Sequence, residues 1–313
     1  MSIIKCDYYN KNNRPIASRG DLNIDFKHFA HAILSLNFGT SSLHSRFLKY
    51  MSYLYLIRAD FRKQGNKLAA NKISEDSYDG LKKNSDIYGA ALTTIIARKK
   101  YKCSIIFPIS LSMIPGAKGK RPDFLGIDFK HYMLFESKAS ITSVSGEQKK
   151  KGMKQLRAVS RVKINGKTYS PFYKKVLVCT NLRHKNISPS HQGVVCKVVD
   201  PKNENKVSVD FYLSANLMNY YRFVKWVINH GEEVCFRQHR KYTVIISKHN
   251  FLGFPIEIGM LEDLYNLIDE RGNHLEEESV KDILLNLKKT RGKKEPLFSD
   301  GVFVDSPVNF DNN

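Results

Sequence analysis

Two carboxylates and a lysine interrupt an otherwise apolar stretch of this chain. Residues 121–128 (RPDFLGID) and 132–139 (YMLFESKA) read as two extended runs joined by a tight connection around Phe129 and Lys130. In an extended strand Glu136 and Lys138 lie two apart and share one face. Centring the connection between Phe129 and Lys130 makes Asp123 the direct cross-strand partner of Glu136, with the two Cβ atoms about 5 Å apart. Like charges so placed repel and weaken a sheet unless a cation lies between them. Two oxygen ligands with open positions suit Mg²⁺, with Mn²⁺ as a substitute. Lys138, one pair further along, is placed to hold or deprotonate a metal-activated water attacking a phosphodiester. The bland alternative is a salt-bridge ladder on an edge strand. The apolar neighbours Phe124, Leu125, Leu134 and Phe135 argue instead for burial, where an unpaired carboxylate is costly.

The elements that must position these residues can be read on either side. Ser85 can cap a helix running from about Asp86 to Lys100, with Ile87, Ala91, Ile95 and Ile96 on one face. Residues 102–111 read as a β-rich run, followed by a Pro-Gly loop over 115–120. A polar helix is expected over 146–162 and a buried strand over 175–180. The order is helix, three strands, helix, strand.

In that order of elements, Pro122-Asp123 followed by Glu136-Ser137-Lys138 resembles the PD-(D/E)XK signature of the restriction-endonuclease-like nucleases, over roughly residues 86–182. The resemblance implies an α/β (α+β, mixed-sheet) core with flanking helices and metal-dependent hydrolysis of nucleic-acid phosphodiesters. It also implies Asp123 and Glu136 as metal ligands, the Ser137 carbonyl as a further ligand, and Lys138 as the catalytic lysine. Many members carry a Glu in the helix before the first core strand; here that helix offers only Asp86, at its expected N-terminal end. Some recombination-type members carry Gln and, four residues on, Tyr; here Gln155 is followed at that spacing by Val159, and Gln155 stays a candidate for lining the site.

Composition points the same way. The chain has 313 residues, 51 Lys and Arg against 30 Asp and Glu, and a net charge of +21, so a polyanionic partner is expected, DNA first and RNA as the alternative. With 42% hydrophobic residues it is a folded protein, not a collagen-like or wholly disordered one. The basic residues expected at phosphates are Lys120 and Arg121, with Lys118, in the loop before Asp123, and Lys149, Lys150, Lys151, Lys154, Arg157, Arg161 and Lys163 in the following helix. Such contacts position a nucleic acid without reading its sequence, and an ordinary solvated face is the competing explanation. The segment from Gly116 to Lys120 lacks the spacing of a nucleotide-binding phosphate loop. No paired spacing supports zinc at His184, His191 and Cys196. The five cysteines read as free thiols, and the start MSIIKCDYYNKNNRP as a cytoplasmic one without a secretory core. No run is long enough for a membrane span.

Three regions are expected: 1–85, mainly helical from the spacing over 24–36 and 41–61 with a loop or a short helix over 65–85; 86–200, the core; and 201–313, an α+β extension. A hairpin is expected between 193–200 and 207–213, around PKNEN. The extension carries an aromatic helix over 217–229 best read as core, a basic segment over 287–296, and a frayed tail from 300. The resulting expectation is a Mg²⁺-dependent DNA endonuclease of restriction or phage defence, acting as a homodimer or beside a partner defence protein. The alternatives are an inert nuclease-like module that holds nucleic acid, and a basic subunit that binds an acidic protein.

Overall fold

The computed structural model describes residues 1–9, 15, 20–36, 41–70, 75–110, 113, 121–169, 172, 174–182, 193–199, 207–251, 253–268, 275–290, 296–308 and 310. Among these the chain is a mixed α/β protein that divides into two units. One comprises Met1–Asp25, Leu56–Phe211 and Phe310–Asn313, the other Phe26–Tyr55 and Tyr212–Asn309. The borders therefore fall elsewhere than at 85/86 and 200/201, because the first strand of the chain hydrogen-bonds into the core sheet while the first helix packs on a strand near the C-terminal end.

The first unit begins with β1 (Ser2–Tyr9) and β2 (Leu22–Ile24). After helices α1 (Phe26–Ser35) and α2 (Leu43–Asp60) it continues with the hairpin β3 (Phe61–Gln64) and β4 (Lys67–Ala70), then the long helix α3 (Glu75–Tyr101). Next come β5 (Ile105–Pro108), β6 (Phe124–Ile127), β7 (Tyr132–Ser140), α4 (Gly146–Ala158), β8 (Val159–Ile164), β9 (Lys167–Tyr169), β10 (Lys174–Asn181), β11 (Val195–Val199) and β12 (Val207–Phe211). Nine of the strands form one mixed sheet in the order β3-β4-β1-β11-β10-β7-β6-β5, with β2 on β1. β7 is antiparallel to β6 and parallel to β10. The β10 run from Lys175 to Thr180 is buried at every position, as a strand covered on both faces must be.

Two glycines let the covering helices close on β7. A Cβ built at Gly89 of α3 would lie 2.6 Å from the Ala139 Cβ, and one at Gly152 of α4 would lie 2.7 Å from Leu177 Cδ1 and 3.3 Å from Glu136 Cγ. Ser137 and Ala139 therefore face α3, while Glu136 and Lys138 face α4, as strand alternation requires.

Several local expectations are corrected. The N-terminal segment is not helical alone: Ser2, Ile4 and Cys6 alternate inward along β1, which runs between β4 and β11. In place of the loop or short helix expected over 65–85, residues 67–70 form a strand and the segment from Glu75 belongs to a long helix. Gly65, at φ 59, turns the β3–β4 hairpin, and α3 already begins at Glu75, so Ser85 is a buried residue inside the helix instead of its cap. α4 ends at Ala158, and the alternating VSRVKI that follows forms β8, which carries Arg161 and Lys163. The expected hairpin around PKNEN is not formed: β11 pairs with β1 and β10, whereas β12 runs parallel to β8 in a separate three-stranded sheet with β9. Here long-range pairing overrides a local turn signal.

In the second unit α5 (Leu213–Asn229), α6 (Glu262–Leu267) and α7 (Glu277–Thr290) accompany α1 and an antiparallel sheet, β13 (Glu233–His239), β14 (Tyr242–Phe251), β15 (Phe254–Leu261) and β16 (Val302–Asp305), in that order. The aromatic residues Tyr220, Tyr221 and Phe223 of α5 are core, as expected. The tail is not frayed from 300. Val302, Phe303 and Val304 are buried in β16, and the buried Asp300 accepts hydrogen bonds from Tyr220 (2.8 Å) and the Val302 amide (3.2 Å) and lies 2.9 Å from His31 Nε2. No helix among the described residues is long and apolar enough to cross a membrane.

Candidate active site

The β6–β7 turn sets the register on which everything else depends. Asp128 Oδ1 accepts from the amides of Lys130 (2.9 Å) and His131 (2.6 Å), and Phe129 takes the left-handed conformation at φ 68. Phe124 then pairs with Phe135, Leu125 with Leu134, Gly126 with Met133 and Ile127 with Tyr132. Asp123 lies one residue beyond these pairs and out of their register, since its amide bonds the carbonyl of Phe135 and not that of Glu136. The Asp123 backbone is held on both sides, its amide donating to Phe135 O (3.0 Å) and its carbonyl accepting from Ile109 N (2.8 Å).

Asp123 Oδ2 accepts from the Ser137 amide at 2.8 Å. Burial pushes its carboxyl above the ordinary value, and the Ser137 amide, Lys138 and Arg121 pull it back. Glu136 is 0% exposed. Its Oε1 accepts from Lys138 Nζ, whereas its Oε2 has no hydrogen-bond partner among the described residues. Burial, then the charge of Asp123, raises the Glu136 carboxyl to about 8. For Lys138 burial opposes the charge, yet Glu136, Asp123 and Asp86 hold the ammonium above its ordinary value. Two neighbouring carboxylates and one lysine thus retain a proton at neutral pH that a divalent cation would displace.

Asp86 lies on α3 well past the start of that helix, and its charge is felt at both Asp123 and Lys138. Gln155, on α4, donates from Nε2 to Arg121 O at 2.7 Å and so holds the segment leading into Asp123. Ser137 contributes its amide to Asp123. Arg121 is half-buried and adds positive charge beside Asp123. Lys118 and Lys120 lie outside the described residues.

The helical basic residues split by face. Lys150, Lys151 and Lys154 are exposed on α4 away from Gly152, and Lys149 and Arg157 are half-buried on its flanks. Arg161 and Lys163 are exposed on β8, Lys163 lying 3.9 Å from Asp210. His184 and His191 lie outside the described residues, and Cys196 is buried on β11 in register with Cys6.

No protein-family model, curated protein or solved structure matches the chain.

What the site can bind follows from its donor set. Among the described residues no group of three or more His, Cys, Asp or Glu is gathered for a metal ion. Mg²⁺ is ordinarily held by one or two carboxylates and keeps several waters, which matches Asp123 and Glu136 and the unsatisfied Oε2. Sequence reasoning overlooks Lys175. It pairs with Leu134 while Leu177 pairs with Glu136, so it lies on the Glu136 face of the sheet. It is 2% exposed, its Nζ has no hydrogen-bond partner among the described residues, and burial lowers it to about 8. A lysine inside the apolar run KVLVCT is the available signal.

Proposed function

We propose that this chain is a metal-dependent nuclease that hydrolyses DNA phosphodiester bonds, with a PD-(D/E)XK, restriction-endonuclease-like core. The observation that carries the reading is a fully buried carboxylate, Glu136, close enough to Asp123 to feel its charge, with one oxygen unsatisfied and the other on Lys138. Asp123 and Glu136 would hold Mg²⁺, or Mn²⁺ in its place, with the Ser137 carbonyl as a further ligand. When bound, such an ion lowers the pKa of a coordinated water and stabilises charge on the phosphate. Lys138 Nζ, kept protonated by its acidic neighbours, would hold the nucleophile or a phosphate oxygen. Gln155 fixes the approach to Asp123 through Arg121, and α4, seated on Glu136 through Gly152, would bring Lys149 and its neighbours to the backbone of the nucleic acid. A basic nuclease of this kind fits cytoplasmic restriction or phage defence by analogy.

The test incubates the protein with supercoiled plasmid, linear duplex, single-stranded DNA and RNA in Mg²⁺, Mn²⁺ or EDTA, beside Asp123→Ala and Lys138→Ala, with binding recorded in the same tubes. The expected result is metal-dependent DNA cleavage that falls by at least about 100-fold in both variants, with binding kept in Lys138→Ala. Binding without cleavage would assign the chain to the inert module. Neither binding nor cleavage would assign it to an acidic protein partner. Cleavage of RNA alone would replace the substrate.

A further inference from the structure

The antiparallel sheet of the second unit ends in an edge strand that exposes two large apolar side chains between the polar Glu233 and Gln238. Among the described residues β13 (EVCFRQH) pairs with β14 alone, in the order β13-β14-β15-β16. Val234 is 48% exposed and Phe236 69%. Natural edge strands are usually guarded by inward charges, proline or a bulge, and the register of β13 with β14 runs unbroken from Glu233 to His239.

The hairpin fixes which backbone groups of this edge are free. His239 pairs with Tyr242 across the two-residue connection Arg240-Lys241, Arg240 taking φ 57. In such a hairpin the flanking pair exchanges both hydrogen bonds and the pattern then alternates along the ladder. His239, Arg237, Cys235 and Glu233 therefore direct their amides and carbonyls toward β14. Val234, Phe236 and Gln238 direct theirs outward. Val234, Phe236 and Gln238, which direct their backbone groups outward, also have exposed side chains.

We infer that this edge is an interface for a second copy of the same chain, the two β13 strands pairing antiparallel about a two-fold axis at Phe236. At that register Phe236 faces the partner's Phe236 and Val234 faces the partner's Gln238, all as outward hydrogen-bonding pairs, and no other antiparallel register pairs more of the outward-directed residues. Charge complements as well. The strand enters through Glu232 and Glu233 and leaves through His239, Arg240 and Lys241. Antiparallel pairing sets Glu232 against the partner's Arg240, and Glu233, which already takes Lys248 Nζ at 2.6 Å, against the partner's His239, whereas parallel pairing would set acid on acid and base on base. The two-fold is isologous, so pairing closes at a dimer instead of propagating.

Sedimentation velocity over a wide protein concentration range gives the direct test. The expected result is a reversible monomer–dimer equilibrium whose midpoint rises by at least about tenfold in Phe236→Lys, with unchanged melting because the side chain is exposed. Phe236→Lys and Phe236→Glu, each weakened alone, pair with one another when mixed, since position 236 meets its own copy. In a Cys235→Ser background, Phe236→Cys forms a disulfide-linked dimer under mild oxidation. A chain that stays monomeric at every concentration and is not cross-linked through position 236 overturns the inference. So does a dimer indifferent to Phe236→Lys. Neither readout depends on nuclease activity.

Discussion

Replacing Glu136 by Gln should stabilise the metal-free protein at alkaline pH while abolishing cleavage. Glu136 is wholly buried, and its carboxyl is raised from 4.5 to about 8 by burial and by Asp123. Between those values the native state holds a proton that the unfolded chain has lost, so native stability falls as pH rises through this window. Linkage over the interval from pH 4 to pH 8 removes about 4 kcal/mol from the wild type. Gln keeps the shape and the acceptor for Lys138 but cannot ionise, so its curve lacks this fall. The assay is urea unfolding of both proteins in EDTA at several pH values, read as the difference between them. That difference should be near its minimum at pH 4 and grow to about 4 kcal/mol at pH 8. Mg²⁺ at about 100 times its dissociation constant should then restore about 2.7 kcal/mol to the wild type at pH 8 and nothing to Glu136→Gln. A difference that stays flat from pH 4 to pH 8 would refute the account of Glu136 as a strained, proton-retaining carboxyl.

Gln155→Ala should lower the turnover of Mg²⁺-dependent cleavage by about tenfold with little change in nucleic-acid affinity, because it frees the Arg121 carbonyl (2.7 Å) that leads into Asp123; an unaltered turnover in steady-state kinetics would remove its positioning role. Lys175→Met should raise stability by about 2 kcal/mol at pH 7 in urea unfolding, and by less at pH 10. The buried amine, lowered to about 8, contributes stability above its unfolded value that is lost as pH falls through 8. His249, buried against Ser247 (2.8 Å) and lowered by burial to about 4, should make the second unit less stable as pH falls from 6.5 to 4, an effect of about 3 kcal/mol. In His249→Gln that acid sensitivity, followed by Trp226 fluorescence, should be gone.

The parts of the fold that are legible in the sequence are those set by neighbours in the chain. The Asp128-Phe129 turn fixes the β6–β7 register through contacts spanning four residues, which is why residue spacing alone brings Asp123 near Glu136, although the Asp123 amide bonds Phe135 O in place of the expected direct pair. The β1 strand is not legible because its partners, β11 and β4, lie far along the sequence and its alternation is short. The same holds for β12, whose parallel partner β8 leaves no local trace, so that the sequence suggests a hairpin between two strands that pair elsewhere. Arg161 and Lys163 look helical in sequence because their charges continue those of α4. The alternation of exposed Arg161 and Lys163 with buried Val162 and Ile164 is a strand signal that the run of lysines obscures.

For the candidate site the division is sharper. Asp123, Glu136 and Lys138 are brought together by one hairpin, and residue types and spacing suffice to find them. What makes their chemistry demanding is supplied from elsewhere. Gly89 and Gly152 admit α3 and α4 against β7 from opposite faces, and Asp86 adds charge from within a helix that starts well before it. Desolvation is the largest influence on Asp123, Glu136 and Lys138 alike, and desolvation is produced by this long-range covering, not by the motif. A hairpin carrying the same three residues in water would hold ordinary carboxylates with little need of a cation. Enclosure by two helices turns the same residues into a site whose unsatisfied oxygen and retained proton call for one.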